Sequence, residues 1–124
     1  MGNEISTITF REKLASATAG ETSLPAAAEV AFGNGGHDAS DEPIDPTGAE
    51  TTVPGQFIKK ELASITSNGT TTELEGLLDF TEGNGEEVSA VGVYDSDGDL
   101  IALKTFAVKN KDSETAVPIY WNIN

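Results

Sequence analysis

The chain contains no cysteine, which excludes a disulfide framework, thiolate metal ligation and thiol nucleophiles together. It is also poor in positive charge: 7 Lys and Arg stand against 21 Asp and Glu, a formal charge of −14. Such a surface repels phosphate backbones and anionic headgroups, so neither nucleic acid nor a membrane surface is an expected partner. No apolar run approaches the roughly 18 residues needed to cross a bilayer, and no basic-then-apolar start of the secretory type is present. A soluble protein is expected. There is a single histidine and a single tryptophan, but carboxylates are abundant, so counting alone does not exclude an acid–base pair; a solvated acidic face is the expectation, since none sits within an apolar stretch that would raise its pKa. What remains is 124 residues with 13 glycines and a hydrophobic fraction of 37 %. That length fits one domain over residues 1–124, with a modest core and long polar loops.

The clearest local signal lies between Glu86 and Val108. Two apolar runs, Val88 to Tyr94 and Leu100 to Val108, flank the acidic tip Asp95-Ser96-Asp97-Gly98-Asp99, the pattern of a β-hairpin. In the second run Leu100, Ala102, Phe106 and Val108 alternate with Ile101, Leu103, Thr105 and Ala107, so both faces are largely apolar. Strands of that kind are covered on both sides. The hairpin is therefore expected at the centre of a sheet, with a helix on one face and another layer or another subunit on the other.

Elsewhere, Thr9-Phe10-Arg11-Glu12 has the form of a capping box and predicts a helix from Thr9 to Ala19, closed at Gly20. Ala28, Val30 and Phe32 predict a short strand that stops at Gly33-Asn34-Gly35-Gly36. An acidic, proline-bearing loop follows over about residues 33–57, mobile in isolation and a candidate contact region. Ile58 to Thr66 and Thr70 to Phe80 predict two antiparallel strands joined at Ser67-Asn68-Gly69, the second with Leu74, Gly76, Leu78 and Phe80 on one face. Ala116 to Asn124 predicts a last strand, in which Pro118 favours an edge or a strand start. The fold class expected is α+β, a mainly antiparallel sheet of five to six strands with one amino-terminal helix packed on it.

Asp95, Asp97 and Asp99 have the alternation with which calcium loops present carboxylates. The sixth position of such a loop is Leu100 and the twelfth is Phe106, where glycine and glutamate are required, so an exposed acidic tip is the better reading. Gly33, Gly35 and Gly36 lack the Gly-Lys-Ser/Thr of a phosphate loop and read as a flexible strand exit. His37 beside Asp38 could polarise Ser40, but nothing in the sequence holds the three rigid. Tyr120 and Trp121 alternate as packing residues do. Asn68-Gly69-Thr70 reads as a turn before it reads as a glycosylation triplet, and Met1 to Ser6 matches a myristoylation pattern too loose to carry weight. The residues thus point to no catalytic group, no cofactor and no metal beyond the weak set Asp95, Asp97 and Asp99.

The order of elements, with Val30-Ala31-Phe32-Gly33-Asn34-Gly35-Gly36 ending a strand and Val91-Gly92-Val93-Tyr94-Asp95-Ser96-Asp97-Gly98-Asp99-Leu100-Ile101-Ala102 forming the hairpin, resembles the amino-terminal domain of phage tail-collar fibre proteins. The hairpin is the specific part of that resemblance, and Asp38 to Ala63 the weakest, where Val53-Pro54-Gly55-Gln56-Phe57 departs from the family's pattern. The resemblance implies a structural, non-enzymatic component of a phage, prophage or phage-derived tail, a module that attaches a tail fibre to the baseplate. It further implies a possible homotrimer with other tail or baseplate proteins as partners, a place in the virion tail, and assembly in the bacterial host cytoplasm. A chain ending at Asn124 lacks the long distal fibre and is expected to be either a piece of a fibre or a small tail protein that keeps the attachment module. The alternative from the residues alone is a small acidic ligand- or calcium-binding module.

Overall fold

Two antiparallel sheets stack across one apolar layer, and a long loop closes the opposite face of the larger sheet. The computed structural model describes residues 3–123, the side chains of residues 3, 68 and 120–123 excepted. Among the described residues there are one helix and eight strands: β1 Asn3–Ser6, α1 Ile8–Thr18, β2 Ala27–Gly33, β3 Gln56–Glu61, β4 Ser64–Asn68, β5 Thr71–Leu78, β6 Glu87–Asp95, β7 Leu100–Asn110 and β8 Val117–Ile123. The larger sheet runs β1-β7-β6-β2-β3 and the smaller β4-β5-β8, all neighbours antiparallel. The fold is the expected α+β class.

The hairpin β6–β7 sits in the middle of the larger sheet, and every residue from Val88 to Asp95 is buried. Strands enclosed on both faces need apolar residues in both phases, which is why this stretch lacks polar alternation. On one face Val30, Phe32, Val91, Val93, Ile101, Ala102 and Phe106 meet Leu74, Leu78 and Val117 from the smaller sheet. On the other, Ala31, Ala90, Tyr94, Leu100 and Leu103 close around Val53, with Ile5 alongside. A register shift between Val93 and Tyr94 alters the simple alternation expected for β7. Ile101 joins Ala102 and Phe106 on one face, while Leu100 turns to Leu103 on the other. A bulge of this kind carries two successive residues to one side of a sheet.

Several expectations need correction. The strand expected over Ile58 to Thr66 is two strands in different sheets, because the chain crosses between them at Leu62-Ala63. The Leu62 amide bonds to Ala28 at 3.3 Å in one sheet and the Ala63 amide to Glu75 at 2.7 Å in the other. Phe80 lies past the end of β5 and is 51 % exposed, so it does not share the buried face of Leu74, Gly76 and Leu78. The helix is capped by Thr7, not Thr9: the Thr7 hydroxyl accepts from the Phe10 amide at 3.2 Å and donates to the Leu100 carbonyl at 2.6 Å. That second bond spans the chain, which the local Thr-x-x-Glu pattern cannot reveal. β1 has a single apolar residue, Ile5, and gains its stability from pairing with β7 at Ile5–Leu103. The second covering layer is the loop itself, residues 34–55, and its course is defined by bonds from Asn34 to Gly55, Gly35 to Pro54 and Ile44 to Gly36.

Pro118 lies on β8, an edge strand of the smaller sheet, as its missing amide requires. The side chains of Tyr120 and Trp121, together with Met1 and Gly2 of the amino-terminal pattern, lie outside the described residues.

Candidate functional site

The acidic tip is built by its own first residue. Asp95 Oδ1 accepts from the amides of Asp97 and Asp99 at 3.0 Å each, the Asp95 amide bonds the Asp99 carbonyl at 2.9 Å, and the Gly98 amide bonds the Asp95 carbonyl at 3.0 Å. Aspartate suits this place because its short carboxylate reaches the amides two and four residues on. The turn brings Asp95, Asp97 and Asp99 together, with one ligand atom of each within 4.8 Å of the others.

A cation from the chain lies among them. Lys13 Nζ is 2.7 Å from Asp95 Oδ2, 2.6 Å from Asp99 Oδ2 and 3.3 Å from Asp97 Oδ2. Burial pushes the Asp95 carboxyl up, but Lys13 and the amides of Asp99 and Asp97 outweigh it and hold the group below its ordinary range. Lys13 is pushed well above the usual lysine value by its bonds to Asp95 and Asp99. Thr7 fixes the start of α1 against β7 and Lys13 fixes its second turn against the tip, so the helix is clamped at two points. The arrangement explains three clustered carboxylates through ion pairing within the protein. Lys13 was the residue missed, since nothing in the spacing of helix and hairpin signals that they meet.

The grooves beside the tip are open and acidic. One, of about 280 Å³, is lined by Glu12, Lys13, Ser16, Thr22, Pro25 and Asp97 among others. The other, of about 370 Å³, is lined by Ala28, Glu29, Glu61, Leu62, Asp95 and Ser96. Neither is the dry apolar enclosure in which carboxylates become acid–base catalysts.

His37, Asp38 and Ser40 do not form a constellation. His37 Nδ1 lies 2.6 Å from the hydroxyl of Ser89, a fully buried residue of β6 that also accepts from the Gly36 amide at 2.9 Å. The Asp38 carboxylate accepts from the amides of Ser40 and Glu42 and so closes a turn. The glycines before it are no flexible exit. A Cβ on Gly36 would stand 2.3 Å from the Ser89 carbonyl oxygen, so glycine is what lets the loop seat on β6.

The long loop is the larger surprise. Val53, 1 % exposed, projects from it into the second core, directly over Gly92, where any Cβ would meet a Val53 methyl at 2.5 Å. The Val53 amide donates to the Tyr94 hydroxyl at 3.2 Å, which in turn donates to Gln56 Oε1. Thr105 Oγ1 donates to the Ile44 carbonyl at 2.8 Å. Ile44 and Val53 stand out in the sequence as the sizeable apolar residues of this loop, but nothing local says what they meet.

The covered hairpin, its aspartate turn and the glycine-bounded strand before it lie within a match to a known family that takes in nearly the whole chain. The family model described as phage tail-collar fibre protein, N-terminal, matches residues 1–119. The chain belongs to that family. No curated protein and no solved structure matches it. As a phage tail-collar fibre protein it is a structural component of a virion tail, associated with other tail components. For this family member, the clamp of Lys13 holds the helix to the tip, and Val53 seats the loop over Gly92.

Proposed function

We propose that this chain is the module that attaches a tail fibre to the baseplate of a phage, prophage or phage-derived tail, that it works without catalysing a reaction, and that it does so as a homotrimer assembled in the host cytoplasm. The observation carrying this reading is the family match over residues 1–119, which takes in the helix, the loop and the hairpin together. The anchoring of the helix at Thr7 and Lys13 supports it, since a joint that transmits force needs rigid elements more than a pocket. The reading takes the chain as one domain whose long loop, about residues 33–57, is part of the folded unit.

Particles produced without this protein should lack fibres and regain them when the purified protein is added back, and light scattering should give three times the chain mass. Fully fibred particles in its absence would refute the attachment role, and a monomer at high concentration would refute the trimer. Calorimetry with calcium addresses the competing module: binding tighter than millimolar that Asp97→Asn removes would favour it.

A further inference from the structure

Sheet edges invite pairing with foreign strands, and proteins blunt them with brevity, charge or proline. Among the described residues, three of the four sheet edges are blunted. β1 has four residues and carries Glu4, β3 carries Lys59, Lys60 and Glu61, and β8 carries Pro118. The fourth, β4, reads Ser-Ile-Thr-Ser-Asn with neither charge nor proline. Its residues Ser64 to Ser67 are exposed, including Ile65 at 48 %.

We propose that β4 is a docking edge which accepts, by strand addition, a segment of a partner protein in which basic and apolar residues alternate. The backbone is set for it. Asn68 pairs with Thr71 across the two-residue loop Gly69-Thr70, so Asn68, Thr66 and Ser64 bond towards β5, while the N–H and C=O groups of Ile65 and Ser67 point to the open side. The side chains set the register. Ile65 lies opposite Leu74 on the inner face, where an added apolar residue would continue the core layer. On the outer face Ser64 lies opposite Glu75 and Thr66 opposite Glu73. Because Ser64 and Thr66 are short, a lysine or arginine of the incoming strand reaches across them to those carboxylates. A second copy of this chain fits less well, since it brings an uncharged β4 and its own acidic β5 to a chain already at −14. The inference stands on the edge geometry and is independent of where the fibre is attached.

The test uses the whole isotope-labelled chain and a seven-residue peptide alternating lysine and valine, with a glutamate–valine peptide as control. The lysine–valine peptide should shift the amide signals of Ile65 and Ser67, and the control should leave them in place. Ser67→Pro removes an outward amide that serves no internal bond, and it should weaken binding tenfold or more while the melting curve holds. Ile65→Lys, which leaves the backbone intact and adds like charge, should weaken it similarly and decides the matter if the proline variant fails to fold. No binding of the lysine–valine peptide, equal binding of the control, or indifference to both substitutions would overturn the proposal. So would a dimer that Ser67→Pro dissolves, which would assign the edge to a second copy.

Discussion

The two faces of the central sheet are buried by different means. One is covered by a second sheet, whose Leu74, Leu78 and Val117 interleave with Val30, Phe32, Val91 and Val93 across a broad layer. The other is covered by a loop that inserts one buried side chain, Val53, and holds on through a tyrosine hydroxyl, a threonine hydroxyl, a buried serine and the bond of the Ile8 amide to the Gly48 carbonyl. A sheet-on-sheet layer spreads its stabilisation over many methyl groups. A latched loop concentrates it in a few polar contacts, so it can open without the strands beneath it coming apart.

The sharpest break of that comparison is Leu103→Asp. Leu103 is fully buried on the loop-covered face beside its β1 register partner Ile5, so a carboxylate there is desolvated by strand neighbours as well as by the loop. A destabilisation of about 4 kcal/mol or more is expected, enough to unfold a domain of ordinary stability. Circular dichroism should show no cooperative melt; an unchanged melting curve would mean the two faces are not both core.

Next in size, truncation on each face should separate the two kinds of cover. Phe32→Ala empties the layer between the sheets and should cost about 3–5 kcal/mol in urea unfolding. Val53→Ala removes two methyl groups from the loop and should cost about 2 kcal/mol. The distinction lies less in size than in place. Val53→Ala should speed hydrogen exchange at Gly35 and Ile44 while β6 and β7 stay protected, whereas Phe32→Ala should speed exchange everywhere. Uniform loss of protection in both variants would make the loop an integral layer.

Legibility followed the same division. The hairpin, β2, β5 and the aspartate turn were readable because each is specified by neighbours in sequence: alternating apolar residues, a glycine, a side chain capping its own backbone. β1, the β3–β4 break, the Thr7 cap and the Lys13 clamp were not, because each depends on partners outside its own stretch of sequence. Thr7 answers to Leu100, Lys13 to Asp95, Leu62 to Ala28 and Ala63 to Glu75. The family resemblance rested on the hairpin and the strand ending at Gly36 and added a role rather than the missing architecture, and it carried no information about the loop, the region in which this chain departs most from the family's pattern.

The clamp offers a smaller and pH-coded test. Lys13→Met leaves the carboxylate of Asp95, 1 % exposed, without its cation but with two backbone amides, so a cost of about 1–2 kcal/mol is expected. Asp95 has its folded value lowered from 3.8, so its contribution is full above that value and is lost as the pH falls through the lower folded one. Lys13 has its folded value raised from 10.5, so its contribution is full below that value and is lost only as the pH rises through the higher folded one. The gap in melting temperature between wild type and variant should therefore stay level across neutral pH and narrow in acid below 3.8. A gap that persists unchanged at pH 2 would assign the loss to packing of the lysine stem.

The smallest effect expected is the most telling about the loop. Tyr94→Phe removes only the hydroxyl that accepts from the Val53 amide and donates to Gln56, while the ring and its contact with Lys59 Nζ at 4.3 Å remain. In a rigid layer, the buried amide left without a partner would cost about 1–3 kcal/mol in global stability. In a latch, the loop opens locally to give that amide to water, so the global cost stays below that full penalty. Faster exchange confined to Val53 and its neighbours, with the urea midpoint almost unmoved, is the outcome that a latched loop requires. A midpoint shift as large as that of Val53→Ala would mean that Tyr94 and Val53 act as one packed unit and that the loop has no separate opening.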